Sequence, residues 1–299
     1  MTVYSINDIE ALTGIKAHTL RIWEKRYGLI TPKRTETNIR YYEDDDLKKL
    51  LNIALLNRNG FKISAIAKMS PEEMLEEVAT LTEVDIDYDD QIDTLTLSMI
   101  ELDEDKFNRI IDKHIEERGF ENTLFEIVFP LLDKVSGMWM SGSFKRVHEY
   151  FLSFMIRRKI VAAIEEMKNE DGPDNGKRVL IFLFNESIFG LSFILAHFLL
   201  RRRGFKVTNI GNSVLPQDIL DAANLCKPDY IFTFYDVQGT AKEFDSMLNS
   251  LIGHGIRMPI LVAGAPMDQL DEKKYENVNY LGSLDQTLAY FDFVSQVQE

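Results

Sequence analysis

Between Lys16 and Tyr41 the chain concentrates side chains that bind polyanions and read base edges. Lys16, His18, Thr19, Arg21 and Lys25 fall on the polar side of one short helical stretch. Lys33, Arg34, Asn38 and Arg40, with Tyr41 beside them, crowd the stretch that follows. Ammonium and guanidinium groups pair with phosphates, and such donors also reach base edges in the grooves of a duplex. From Gly14 to Tyr42 there are seven Lys or Arg against two Glu, a net +5 within a chain of net charge −14. A small basic head on an acidic body is the footprint of one nucleic-acid-binding module; the acidic remainder argues against nucleic acid covering the whole surface. A second stretch, FLFNESIFG (Phe182 to Gly190), could hold a ligand. An apolar run ends, a polar loop centred on Ser187 follows, and a glycine opens another apolar run, as where a strand hands over to a helix at the ligand-binding edge of an open α/β sheet.

Other candidates are thinner. His114 and Glu117 stand three apart on a helix, close to metal-ligand geometry, but two groups do not make a site. His197 lies in an apolar helix and reads as packed or capped, and His254 as a turn residue. Asp44, Asp45 and Asp46 precede a helix whose N-terminal dipole they favour. Arg201, Arg202 and Arg203 suit a phosphate or the negative end of a helix equally well. No nucleophile–base pair and no phosphate loop is visible, so no enzyme is expected.

The elements that position these groups fall into three segments, 1–80, 90–168 and 177–299, divided by the acidic stretch 81–90 and the turn-rich stretch 169–177. In the first, Ser5 and Asp8 form a capping-box-like pair, Gly14 permits a tight turn, and a second helix runs from about Lys16 to Tyr27, with Gly28 as its stop. Pro32, the Thr and Asn residues near the tip and the pair Tyr41–Tyr42 make the next stretch a hairpin, and Asp44–Arg58 is helical again. Two helices around a turn followed by a basic hairpin are a winged helix-turn-helix. In the second segment four apolar stripes predict a four-helix bundle: Leu95, Met99 and Leu102; Phe107 to Ile115; Leu124 to Leu131; and Phe151, Phe154, Met155, Ile160 and Ile164. In the third, RVLIFLF, KVTNIG, YIFTFY, PILVAG and VNYLG are five short apolar strands alternating with helices, hence a parallel Rossmann-like, flavodoxin-like sheet covered on both faces. The chain is therefore expected to be multi-domain, with an N-terminal all-α winged helix-turn-helix, a central four-helix bundle and a C-terminal α/β domain. One cysteine, no apolar run of about 18 residues and no export signal place it in the cytoplasm, away from membranes.

YSINDIEALTGIKAHTLRIWEKRYGLITPKRTETNIRYYEDDDL resembles the DNA-binding domain of the MerR family of transcription regulators, and WEKRYGL (Trp23 to Leu29) resembles the light-responsive, cobalamin-dependent repressors of the CarH/LitR subgroup. The resemblance implies that the second helix reads the major groove and the wing touches the backbone. It carries DNA contact to Lys16, His18, Thr19, Arg21, Arg34, Asn38, Arg40 and Tyr41. It implies double-stranded promoter DNA as ligand and a homodimer or homotetramer as the assembly, with RNA polymerase or another regulatory protein as candidate partner.

The subgroup also joins a four-helix bundle to a Rossmann-like cobalamin-binding domain, in the order seen here. Its pattern of an acidic residue, a histidine and a glycine falls on Asn185, Ser187 and Gly190. Its Ser-x-Leu falls on Thr233, Phe234 and Tyr235, and its Gly-Gly on Ala263 and Gly264. Forty-two residues separate Gly190 from Thr233 and 27 separate Tyr235 from Ala263, in keeping with the family. Its Trp, nine residues, then Glu-His falls on Trp139, Glu149 and Tyr150, and the position after the Trp, a histidine in the photoreceptors, is Met140. A serine hydroxyl is a far weaker cobalt donor than a neutral imidazole. Bulky Phe234 and Tyr235 stand where the cofactor's nucleotide tail would thread. The resemblance thus implies a DNA-binding regulator, a repressor, that keeps the cobalamin architecture without its ligand set and binds no cofactor. Two alternatives are a light-sensing repressor that holds cobalamin without histidine ligation and a corrinoid-carrying module for methyl transfer.

Overall fold

The structure is a computed structural model and describes residues 3–83, 88–140, 145–167, 174–184, 190–235, 241–264 and 274–296. It divides into two compact units, Met1–Met155 and Ile156–Glu299.

In the first unit α1 (Ile6–Thr13) begins at a reciprocal cap: Asp8 N–H donates to Ser5 Oγ at 3.2 Å, and Ser5 N–H donates to the Asp8 carboxylate at 2.8 Å. Gly14 ends it at φ 70°, a left-handed conformation that glycine adopts without steric cost, and Gly28 ends α2 (Ala17–Tyr27) likewise at φ 63°. The two-stranded wing pairs β1 (Lys33–Arg34) antiparallel to β2 (Arg40–Tyr41). Then come α3 (Asp44–Arg58), α4 (Ile63–Ile66), α5 (Pro71–Glu83), α6 (Tyr88–Glu101) and α7 (Glu104–Arg118). A run of α8 (Phe120–Thr123), a π-turn (Leu124–Val128) and α9 (Phe129–Met140) follows, and then α10 (Arg146–Glu166). In the π-turn Phe129 N–H reaches back to Leu124 O. Pro130 accounts for it: its ring cannot donate to the carbonyl four residues back and crowds it, so the helix widens locally.

The head packs on the helices that follow it, α1 against α9 and α3 against α6. Two polar clasps fasten it there. Arg58, at the end of α3, donates to Asp90 at 2.7 Å and to Asp93, Asn59 donates to Asp90 at 2.7 Å, and Lys134 of α9 donates to Asp93. Both carboxylates are buried. At the other end of α3, Asp44 accepts from Tyr4 Oη at 2.9 Å and from Lys145. Asp44 is thus part of a tertiary clasp as well as of the first turn of α3; the reciprocal cap itself is made by Glu43 and Asp46.

Three sequence expectations are corrected here. The stretch 81–90 is not one linker, because α5 runs to Glu83 and α6 starts at Tyr88; its acidic residues include a first-turn carboxylate, Asp90, that is paired with Arg58. Leu102 leaves the α6 stripe for a turn at φ 56° and is exposed, and Phe154 lies on the exposed side of α10 while Leu152, Met155, Ile156 and Ile160 are buried. His114 Nδ1 lies 2.9 Å from Thr123 Oγ1, which itself donates to Gly119 O, and its Nε2 lies 3.4 Å from Glu126 Oε2.

Burial pushes both His114 and His148 below the usual imidazole range, chiefly by desolvation. In the unfolded chain each takes a proton near about pH 6.5. Stability is therefore full above that pH and is lost as the pH falls towards the depressed folded values. Urea midpoints are expected to drop between pH 7 and pH 5, and a variant carrying both His114→Gln and His148→Gln is expected to lose much of that slope.

In the second unit β3 (Arg178–Leu183), β4 (Lys206–Asn209), β5 (Tyr230–Phe234), β6 (Ile260–Ala263) and β7 (Val278–Leu281) form one parallel sheet in the order β4-β3-β5-β6-β7. Counted from β3 this is the 2-1-3-4-5 order of a flavodoxin-like fold. The connecting helices are α11 (Gly190–Arg202), α12 (Pro216–Cys226) and α13 (Ala241–Gly253), and α14 (Leu284–Gln296) follows β7. Leu180, Phe182, Ile231 and Val262 enter one core, and Val179, Ile181, Phe232 and Leu261 enter the other, as strand alternation requires. His197 Nδ1 lies 3.3 Å from Asn209 Nδ2, His254 bonds Ser250 O, and Arg203 pairs with Asp292 at 2.6 Å. Among the described residues no helix is long and apolar enough to cross a membrane.

Candidate nucleic-acid interface and sheet-edge positions

The capped α1 and the Gly14 turn set α2 with Leu20 buried beneath it, leaving Lys16, His18, Arg21 and Lys25 exposed and Thr19 half-buried. Lys16 Nζ is held by Glu10 at 2.9 Å, and the other oxygen of Glu10 accepts from Ala17 N–H at 2.8 Å, so one carboxylate fixes both the side chain and the start of α2. His18 Nε2 lies 3.4 Å from Thr19 Oγ1. Among the described residues Arg21 and Lys25 enter no ion pair. They are the cations of α2 that reach outward uncommitted.

The wing is built differently from that helix. Asn38, at φ 65°, turns the tip, and its Oδ1 accepts from Arg34 Nη1 at 2.9 Å. Arg40 makes a two-pronged contact with Glu24 of α2, at 3.0 and 3.3 Å, and Arg34 lies 3.9 Å from the same carboxylate. Lys33 pairs with Glu43 at 2.7 Å, which raises its pKa. The sequence pattern groups these residues as DNA contacts; the structure gives Arg34, Asn38 and Arg40 internal bonds, with Arg34 still exposed and Tyr41 half-buried. Sequence reasoning missed Glu24. An acidic residue in a basic stretch was its only signal.

At the sheet edge, Ile231, Thr233 and Tyr235 face the core under α12 and α13. Tyr235 is 1% exposed, its ring 5.0 Å from that of Phe244, and Phe184 meets Phe244 edge to face at 6.4 Å. Thr233 is fully buried and, among the described residues, its hydroxyl has no hydrogen-bond partner. Phe234 turns to the opposite face, against Phe232 at 5.2 Å. Gly264 is at φ 96°, and a β-carbon there would lie 3.0 Å from Tyr235 O and 3.3 Å from Phe234 Cδ1. Gly264→Ala is expected to cost about 1–3 kcal/mol, read as a lower denaturation midpoint, because neither that backbone nor the φ can yield cheaply. Ala263 ends β6 and is buried. A β-carbon on Gly190 would meet Arg157 Nη2 at 2.5 Å, the movable end of a side chain.

Asn185 and Ser187 lie outside the described residues, as do the side chains of Trp139 and Met140, which close α9. On α10 Glu149 is half-buried and Tyr150 exposed, with the Arg146 guanidinium 5.8 Å from its ring centre. None of positions 140, 150, 185 and 187 carries an imidazole, and among the described residues no cluster of three His, Cys, Asp or Glu could hold a metal.

These geometries define a winged helix-turn-helix joined to a bundle and a flavodoxin-like domain. Residues 4–73 match the family model described as "MerR HTH family regulatory protein", and the chain opens with a MerR helix-turn-helix domain. Over 271 residues it is 27% identical to the HTH-type transcriptional repressor CarH of Myxococcus xanthus, covering 88% of this chain and 89% of that one. It is 24% identical to the repressor CarA of the same organism, covering 87% and 85%. In fold it is similar to the monomethylamine corrinoid protein of Methanosarcina barkeri, with a TM-score of 0.54, 12% identity and coverage of 70% of this chain and 98% of that one.

Proposed function

We propose that the chain is a sequence-specific DNA-binding transcription regulator, a repressor, that works without enzymatic activity in the cytoplasm. The observation that carries this is the outward face of α2, where Arg21 and Lys25 pair with no carboxylate among the described residues, beside a wing docked onto the same helix. On this reading residues 1–80 bind promoter DNA, and 90–168 with 177–299 serve assembly into a dimer or tetramer, a signal other than cobalamin, or a protein partner such as RNA polymerase. Arg21→Ala tests it. With one phosphate no longer engaged, binding is expected to weaken roughly uniformly across sequences, by about five- to tenfold, and the salt slope to fall by about one per recognition helix altered. Unchanged binding and slope would remove α2 from the interface.

A second reading, that the chain still holds cobalamin without histidine ligation, is favoured by one observation. Thr233 keeps a buried hydroxyl, unpaired among the described residues, at the position of the family serine, and an unpaired buried hydroxyl is costly unless something completes it. The packed Tyr235 and the missing imidazoles favour the first reading. Gel filtration of the protein mixed with adenosylcobalamin in the dark separates the two: the first expects the chromophore to elute apart from the protein, and co-elution would overturn it.

A further inference from the structure

The outward face of α2 is not uniformly polar. Ile22 stands four residues after His18, three before Lys25 and four before Arg26, spacings that place all four side chains on one face of the helix. All four are exposed, and Ile22 is 51% exposed at the middle of an 11-residue helix whose opposite face carries the buried Leu20. An isolated exposed aliphatic residue is ordinary on a protein surface. This one lies in the centre of a cationic face. Its branched side chain lowers helix propensity relative to Ala, Lys or Arg, and half of it remains in water, so it adds little to the stability of α2.

A duplex offers such a residue one apolar partner in the major groove, the 5-methyl group of thymine. We propose that Ile22 is a specificity-determining residue that packs against a thymine methyl, while Arg21 and Lys25 beside it engage phosphates. The inference rests on the DNA-binding reading above and deepens it. Arginine and lysine on phosphates fix register and carry no sequence information, whereas a methyl contact distinguishes T·A from the other three pairs. Cations at neighbouring positions hold the helix in the groove, and water is expelled from the aliphatic side chain only when a methyl group meets it.

The test uses the full chain and a duplex selected from random DNA with it. Each thymine of that duplex is replaced in turn by deoxyuridine, which deletes only the methyl group, and affinity is measured at several salt concentrations. The expected result is one thymine in each recognised half-site whose replacement weakens binding about fourfold, the worth of one buried methyl-sized group. Ile22→Ala is expected to weaken binding to the thymine duplex by a similar factor, to be indifferent to deoxyuridine at that position, and to leave the salt slope unchanged. Ala is the better helix former, so the variant folds. Wild-type indifference to deoxyuridine everywhere, or undiminished sensitivity in Ile22→Ala, overturns the role of Ile22 and leaves DNA binding standing. Failure to select any sequence, with no salt-dependent binding at all, overturns the DNA-binding reading and this inference with it.

Discussion

Replacing Glu24 by Ala is expected to weaken operator binding about thirtyfold, although it removes a negative charge from the DNA-facing side of the molecule. Long-range electrostatics alone gives the opposite sign, since one fewer carboxylate repels phosphate less. The local geometry decides against that. Glu24 accepts two hydrogen bonds from Arg40 and lies 3.9 Å from Arg34, so this one carboxylate of α2 meets both arginines of the wing. Both partners of the two-pronged contact are largely shielded, at 25% and 27% exposed. A charge-assisted bond of this kind contributes about 1.5–3 kcal/mol, and about 2 kcal/mol corresponds to a factor of thirty in affinity. Without it, wing and helix are ordered only on binding, and that cost is subtracted from affinity. Equilibrium binding at two salt concentrations checks the sign: Glu24→Ala should bind more weakly at both, and Glu24→Asp, too short to span both nitrogens, should fall between. Tighter binding by Glu24→Ala would mean that the wing arginines are better used on phosphate than on Glu24.

What was legible in the sequence was the punctuation. Ser5 with Asp8, Gly14, Gly28 and the apolar runs beginning at Arg178, Tyr230 and Ile260 mark local events, each determined by a few neighbouring residues, and the structure places elements there. What was not legible depends on partners far along the chain. Asp90 looked like part of an acidic linker because its partner Arg58 is 32 residues away. Arg40 looked like a free DNA contact because Glu24 is 16 residues away. The direction of Phe154 on α10 was missed because apolar residues occur all round that helix and periodicity chooses no single face. At the sheet edge, the sequence showed only which residues occupy positions 233 to 235; the fold showed that Tyr235 turns into the α12–α13 core while Phe234 turns away from it.

Arg58→Ala is expected to destabilise the first unit by about 2–4 kcal/mol, below the full range for a broken buried pair because the guanidinium is 37% exposed. Its two carboxylate partners are only 8% and 4% exposed. After the substitution Asp93 keeps Lys134, whereas Asp90 keeps one amide, that of Asn59. A buried carboxylate left with a neutral donor bears most of its desolvation cost, and removing one partner is therefore worse than removing both. The double variant Arg58→Met with Asp90→Leu should accordingly recover a substantial part of the loss. Urea unfolding followed by far-UV circular dichroism measures both. The same clasp ties the end of α3 to α6 and α9, so Arg58→Ala should also free the DNA-binding head from the helices behind it. Limited proteolysis within the first unit should accelerate in that variant before the global transition; an unchanged cleavage rate together with an unchanged midpoint would show that the α3–α6 packing holds the head without the ionic cluster.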